Sequence, residues 1–311
     1  MEQELDKASL RDPKLILRSY KSEDFQRVQE LFIGTYYGLV SEGIRAKLRT
    51  PWTWLGWILG YLFLQTVVPT LVFGQERENS WPEYFLKLFL TFWWGATAFI
   101  IFFIITAKYE LVDRINEAQE NDMSDPATYY LNYVNTGDNK YVQKPAAEQS
   151  PSHFWVLSID NAIAGIVGLA VYDKVVKESR SKEQRKRKAW WTVDADLAMA
   201  KDDIFAEPTP PKTAILQRLA ITPDYQHCGL ANLLINRAMF WAHEHGIETV
   251  VAYTNDMQRT AEKVLMERHG FKLEHTNKKW LSYQKKLVCN VQAWIDKYGE
   301  ESKGLYEKRV Q

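Results

Sequence analysis

The chain has 311 residues, enough for about two domains. Its 39 Lys+Arg offset 39 Asp+Glu, so nothing global calls for nucleic acid or another polyanion. Cys228 and Cys289 are the only cysteines, too few for a disulfide framework, and they fit a reducing compartment.

Met1 to Arg18 is mixed in charge and lacks an apolar core, so no cleaved signal peptide is expected. Leu15 to Tyr20 alternates as a short strand. Ser22 is the expected cap of a helix with Glu23 and Asp24 in its first turn. Phe25, Val28, Leu31, Phe32 and Tyr36 give that helix its apolar period.

Trp52 to Gly74 follows, 23 residues without a charged side chain, where about 20 apolar residues suffice to cross a bilayer. A second apolar stretch runs from Tyr84 to Ala107, with Lys87 near its start, where a long stem snorkels. Trp52, Trp54, Trp81 and Tyr84 fall at the expected interfaces. Arg45, Lys47 and Arg49 precede the pair, and Lys108 and Arg114 follow it. The linker Gln75 to Glu83 carries Glu76, Arg77, Glu78 and Glu83. The positive-inside rule puts both flanks in the cytosol. The expectation is an integral membrane protein, in the endoplasmic reticulum, with membrane lipid as a partner and one cytosolic domain built from both ends of the chain.

Beyond the hairpin, Tyr109 to Asn121 continues the second span as a helix, and Asn135 to Ser152 reads as a polar loop. Phe154 to Ile159 and Ala164 to Tyr172 make a hairpin around Asp160-Asn161. Lys174 to Lys188 is a basic run, read as a solvated loop between strands in preference to a patch for a polyanion or lipid headgroups. Then come a strand at Thr213 to Ile221, a helix at Leu230 to His245 ending on Gly246, and a strand at Thr249 to Thr254. A helix at Met257 to His269, closed by Gly270, and a final strand at Lys279 to Leu287 complete the order. This order predicts an α/β fold, one mixed sheet with helices on both faces, plus a two-helix transmembrane hairpin. Residues 1–50 supply the first strand and helix, 51–108 the hairpin, 109–290 the main core and 291–311 a C-terminal tail.

The stretch that carries chemistry is Leu219 to Ala231, LAITPDYQHCGLA. A strand runs into a tight turn and directly into a helix, which gathers unpaired backbone N–H groups at a helix start, an anion site. Gly229 allows close approach and Ala231 keeps the first turn free of bulk. Gln226-x-x-Gly229-x-Ala231 resembles the acetyl-coenzyme A signature of the GNAT superfamily, and Gly270-Phe271 resembles its closing pair. A narrower likeness is to the camello-like group, which includes cysteine S-conjugate N-acetyltransferases. It rests on Asp122-Met123-Ser124-Asp125, Tyr130-Leu131, Phe154-Trp155-Val156, Gly165-Ile166-Val167-Gly168, Arg218-Leu219 and Gln258.

The resemblance implies an N-acetyltransferase with acetyl-CoA as co-substrate and a small-molecule or peptide amine as acceptor. It implies that backbone N–H groups of Gln226, His227, Cys228, Gly229, Leu230 and Ala231 hold the pyrophosphate. Leu219, Ala220 and Ile221 would line the pantetheine and acetyl group, a backbone N–H of their strand would stabilise the oxyanion, and Gln258 would touch the coenzyme from the opposite helix. Many members carry a Tyr four residues before the closing Gly, where this chain has Met266. Either the thiolate leaves without an acid, or the protein binds acyl-CoA and catalyses poorly. Glu248 and Asp224 are candidate bases by location alone, beside a water chain. Trp190, Trp191 and Trp280 are candidates for the acceptor pocket. His243-Glu244-His245 does not have the HExxH spacing of a zinc site, and no metal is expected.

Overall fold

In the computed structural model, described residues are 14–74, 81–137, 140–179, 204–279 and 282–309. The basic run from Arg180 onward and Trp190, Trp191 and Trp280 lie outside them.

The centre is a seven-stranded sheet. Its strands are β1 (Leu15–Ser19), β4 (His153–Ile159), β5 (Ala162–Ala170), β8 (Thr213–Ile221), β9 (Thr249–Asn255), β10 (Lys272–Lys278) and β11 (Tyr283–Asn290). The order is β1-β4-β5-β8-β9-β11-β10. Every pairing is antiparallel except β8 with β9. That one parallel pair needs a crossover, supplied by α7 (Leu230–Glu244). Two small hairpins, β2 (Tyr133–Asn135) with β3 (Tyr141–Gln143) and β6 (Val176–Lys177) with β7 (Ile204–Ala206), lie apart from the sheet.

Strand alternation divides the core into two layers. Trp155, Leu157, Val167 and Leu216 face α7 and α9 (Val291–Arg309), packing with Leu233, Leu234, Ala238 and Trp294. Phe154, Val156, Ile166 and Ile215 face the other way, onto α1 (Phe25–Gly38), α5 (Val112–Glu120) and α6 (Pro126–Tyr130). Helices therefore cover both faces, as the element order predicts.

Two helices stand apart. α3 (Pro51–Phe73) and α4 (Trp81–Ile104) are long and apolar enough to cross a membrane, by length and composition. Only 6 % and 11 % of their most apolar stretches is buried. Phe63, Leu71, Phe85 and Phe92 instead present bare apolar surface. The two helices pack on each other through Gly60, which lies under the Trp94 ring, and through a short polar seam. In the seam Gln65 Nε2 donates to the Lys87 carbonyl at 3.0 Å and to Thr91 Oγ1 at 2.9 Å.

α4 runs without a break through a π-helical segment, Ile105–Leu111, into α5. α2 (Val40–Leu48) leads into α3 from the other side. At this junction Lys47 is fully buried. Its Nζ lies 2.6 Å from Glu110 and 3.9 Å from Asp256, just beyond β9. One ammonium thus ties the approach to the hairpin, its exit and the end of a sheet strand.

Several expectations are corrected. Ser22 does not cap: it opens a short 3₁₀ turn, and the Asp24 carboxylate accepts from the Lys21 N–H at 3.0 Å and is held by Arg18. Residues 135–152 are not all loop, because Asn135 pairs with Tyr141, and Val142 and Gln143 pair with Val134 and Tyr133. Residues 291–311, read as a tail, contain α9, whose Trp294 is buried against Phe240. The final strand starts at Tyr283, and β10 precedes it as an almost wholly polar edge. The linker ends sooner, since Glu83 lies within α4 and pairs with Lys87 at 2.7 Å. Lys47 and Arg114 are buried, which leaves Arg45, Arg49 and Lys108 as the exposed cations flanking the hairpin.

Lys47→Met removes the cation that pairs with buried Glu110 and lies 3.9 Å from buried Asp256, and losing one partner of a buried pair costs ~3–5 kcal/mol. A thermal melt in detergent should show a clear drop, with Lys47→Arg dropping less. Equal melting of wild type and Lys47→Met would contradict this role.

Candidate functional site

β8 and β9 pair from Thr213↔Thr249 to Leu216↔Ala252 and then part. The cause lies in β8. On its other side Gly168 pairs with Gln217 and Ile166 with Ala220, so Arg218 and Leu219 oppose a single residue of β5. This is a β-bulge, and Arg218 sits at φ +56°. A non-glycine residue there is strained and needs support from its surroundings.

The support is a buried polar cluster. Arg218 donates to Asp122 through Nε at 2.8 Å and through Nη2 at 2.7 Å. The two side chains are 2 % and 0 % exposed. Such a two-point pair fixes orientation as well as charge. The Tyr130 hydroxyl donates to the same carboxylate. Gln217 Nε2 donates to the hydroxyls of Tyr130 at 2.6 Å and Tyr172 at 3.0 Å. Burial, then the charge of Asp122, pushes both tyrosines up, so both hydroxyls keep their protons, and that of Tyr130 serves as a donor. Arg218 also lies over the Phe32 ring, 5.8 Å from its centroid.

At the end of β8 a 3₁₀ turn, Pro223–Tyr225, leads into the loop before α7. His227 and Gly229 both have positive φ, +64° and +78°. The backbone N–H groups of His227, Cys228, Gly229, Leu230 and Ala231 have no acceptor among the described residues. Five donors therefore sit at the N-terminus of a 15-residue helix, where the dipole favours an anion. Gln226 plays a different part than expected. Its N–H bonds the Pro223 carbonyl at 3.2 Å, and its side chain bonds the Ile221 carbonyl at 3.0 Å. It shapes the turn.

A cleft of about 310 Å³ joins these parts. Leu219, Ala220, Ile221, Gln226, His227, Gly229, Leu230, Ala231 and Gln258 all line it. Cys228 does not, and is exposed. Tyr36, Leu39 and Glu42 complete the wall from α1 and α2. A narrow extension of about 40 Å³ continues between the parted strands, past Gln217, Tyr253 and Thr254. Tyr36, Leu219, Gln258 and Ala261 line both spaces. Gln258 is held by Asn255, whose Nδ2 donates to it at 2.9 Å.

Three sequence candidates fall away. Glu248 is exposed and pairs with Lys212, at the start of β8 and β9. From there to Leu219 is about 20 Å at roughly 3.3 Å per strand residue. Asp224 does not line the cleft. Met266 is 37 % exposed and faces away, while Leu265 is buried and lines the extension. The reason is that α8 (Arg259–Lys263) widens into a π-helical turn, Val264–Arg268, before Gly270 at φ +66°. Counting back four residues from the glycine assumes an α-helix, and the wider turn breaks that count. Glu42 was missed because it lies far from the motif in sequence.

Asp122→Asn leaves the Arg218 guanidinium buried with its partner charge gone, a loss of ~3–5 kcal/mol by the same rule for buried pairs. Melting in detergent should show a large drop. The double change Asp122→Leu with Arg218→Met, which removes both charges, should lose less. A harmless Asp122→Asn would show that the pair does not hold the bulge.

The sequence profile of the acetyltransferase (GNAT) family matches residues 113–271, just over half of the chain. Among solved structures, a GNAT acetyltransferase of Staphylococcus aureus is 10 % identical, with TM-score 0.40, over 89 % of this chain and 99 % of that one. The PaiA N-acetyltransferase of Thermoplasma acidophilum, in complex with coenzyme A, is 13 % identical, with TM-score 0.36, over 89 % and 99 %. Spermidine N-acetyltransferase of Vibrio cholerae, in complex with CoA and spermine, is 12 % identical, with TM-score 0.37, over 91 % and 98 %. No curated protein sequence matches this chain significantly. The chain belongs to the GNAT family of acetyltransferases, and its co-substrate is acetyl-CoA.

Proposed function

We propose that this chain is a membrane-anchored N-acetyltransferase that moves acetyl from acetyl-CoA to the amine of a small molecule or an amino-acid conjugate. The observation that carries the reading is the cleft between parted strands with five unpartnered N–H groups at its helix end. That donor set suits a pyrophosphate, and the apolar wall of Leu219, Ala220 and Ile221 suits the pantetheine arm. Gln226 to Ala231 then hold the phosphates, Gln226 through the shape of the turn, with Cys228 contributing its backbone alone. Gln258 meets the arm from α8.

The bulge turns the backbone at Arg218 and Leu219 toward the parted strands. A main-chain N–H at this point stabilises the charge that develops on the thioester oxygen. The narrow extension excludes bulk water from the reacting carbonyl. Leu265, which lines it, has no proton to give, and Met266 points elsewhere, so departure of the thiolate relies on the modest basicity of a thiol. The position of Met266 therefore gives no support to a non-catalytic binder.

α3 and α4 form the anchor. Their exposed apolar faces are costly in water and suited to lipid, with Arg45, Arg49 and Lys108 at the cytosolic side. The catalytic sheet then faces the cytosol, with membrane lipid around the hairpin.

The test is thiol release from acetyl-CoA by the full chain in detergent, across alkylamines, amino-acid S-conjugates and lysine peptides. Release stimulated by a small amine or conjugate supports the reading. Stimulation by peptides alone would make the protein a lysine acetyltransferase instead, and tight binding without stimulated release would overturn catalysis.

A further inference from the structure

We infer that Glu42 receives the ammonium group of the acceptor and takes its proton, so that the acceptor is an amine cationic in solution. The inference rests on the acetyl-CoA reading of the cleft. Among the described residues lining the cleft and its extension, Glu42 is the one carboxylate. It stands on α2, one helical turn beyond Leu39, and shares its wall with Tyr36, Leu219 and Gln258, the residues at the junction where the strands part.

Its two oxygens are not equivalent. Oε1 accepts from the Thr260 hydroxyl at 3.1 Å, a contact from α2 to α8 across the cleft. Oε2 is buried and has no hydrogen-bond partner among the described residues. A carboxylate oxygen shut off from water without a donor is costly, and the cost is relieved when a donor arrives. An ammonium brings three donors and the opposite charge. The hydrogen bond to Thr260 holds the carboxylate by Oε1 at the cleft wall, and a small turn of the side chain about that contact brings Oε2 out to the ligand.

The ammonium gives one proton to Glu42. The freed pair on nitrogen forms the N–C bond to the thioester carbon, and the C–S bond breaks with its electrons on sulfur. The nitrogen loses a second proton as the amide forms, and that proton goes to the thiolate. Glu42 returns its own proton to water. A positioned carboxylate of this kind contributes typically ~10²–10⁴-fold.

The experiment uses the full chain in detergent with acetyl-CoA. It compares a primary alkylamine, protonated at neutral pH, with an arylamine of similar size, which is not. For Glu42→Gln, kcat/KM for the alkylamine should fall ~10²–10³-fold, at the lower end of general-base effects. The arylamine should lose less than about tenfold, since it brings no charge to pair and its nitrogen pair is already free. Acetyl-CoA affinity by calorimetry should stay the same, and Glu42→Asp should recover part of the rate. Equal losses for both amines, weakened acetyl-CoA binding in step with the rate, or an unchanged rate would each overturn the assignment. If the wild type binds acetyl-CoA but transfers to no amine, both the assignment and the function beneath it fall.

Discussion

The Asp122–Arg218 pair is the constraint on which the site depends. The bulge in β8 opens the sheet, and the residue at its crest holds a backbone conformation that side chains rarely adopt. A guanidinium gripped at two points by a carboxylate 96 residues away makes that conformation affordable. Desolvating both charges consumes much of what their attraction returns, so net stability is a poor account of why they are there. Geometry is a better one. Asp122 follows directly from the long helix that leaves the hairpin, and Tyr130, Gln217 and Tyr172 surround the pair with directed hydrogen bonds. The strands part where they do because the helix after the hairpin is pinned to the crest of the bulge.

A second buried charge ties neighbouring regions together. Lys47 stands just before α3, Glu110 in the π-helical segment just after α4, and Asp256 just after β9. A π-helical segment shifts side chains around the axis relative to an α-helix, which is how one continuous helix presents an apolar face along α4 and a buried carboxylate at its base. Between the two ion clusters, α2 and α1 are fixed against the sheet, and Tyr36, Leu39 and Glu42 become a wall of the cleft. The helices that approach the hairpin thus shape one wall of the cleft.

Much of this was legible in the sequence where local rules govern. β8 was read to the residue, α7 and β9 to within one, because alternation and helical period are strong there and Gly246 marks a stop. The turn at Gln226 to Ala231 was legible because an anion loop needs a glycine at a helix start. What escaped depends on pairing at long range. β10 is polar along almost its whole length and is a strand because β11 supplies its partners. α9 looked like a charged tail because only Val291 and Trp294 are firmly buried in its first turn. Asp122 and Arg218 were each singled out, but nothing in their spacing said that they meet. The π-turn after α8 exchanged Leu265 for Met266, which no count along a regular helix reveals.

The most direct test of the central claim is calorimetric titration of acetyl-CoA into the wild type and into Gly229→Glu, with folding of the variant checked by its melt. Glutamate at this position places bulk and negative charge among the five N–H groups at the start of α7. The account predicts saturable binding by the wild type and no detectable binding by the folded variant. Undiminished affinity in Gly229→Glu would contradict it, because the pyrophosphate would then lie somewhere other than the turn between β8 and α7.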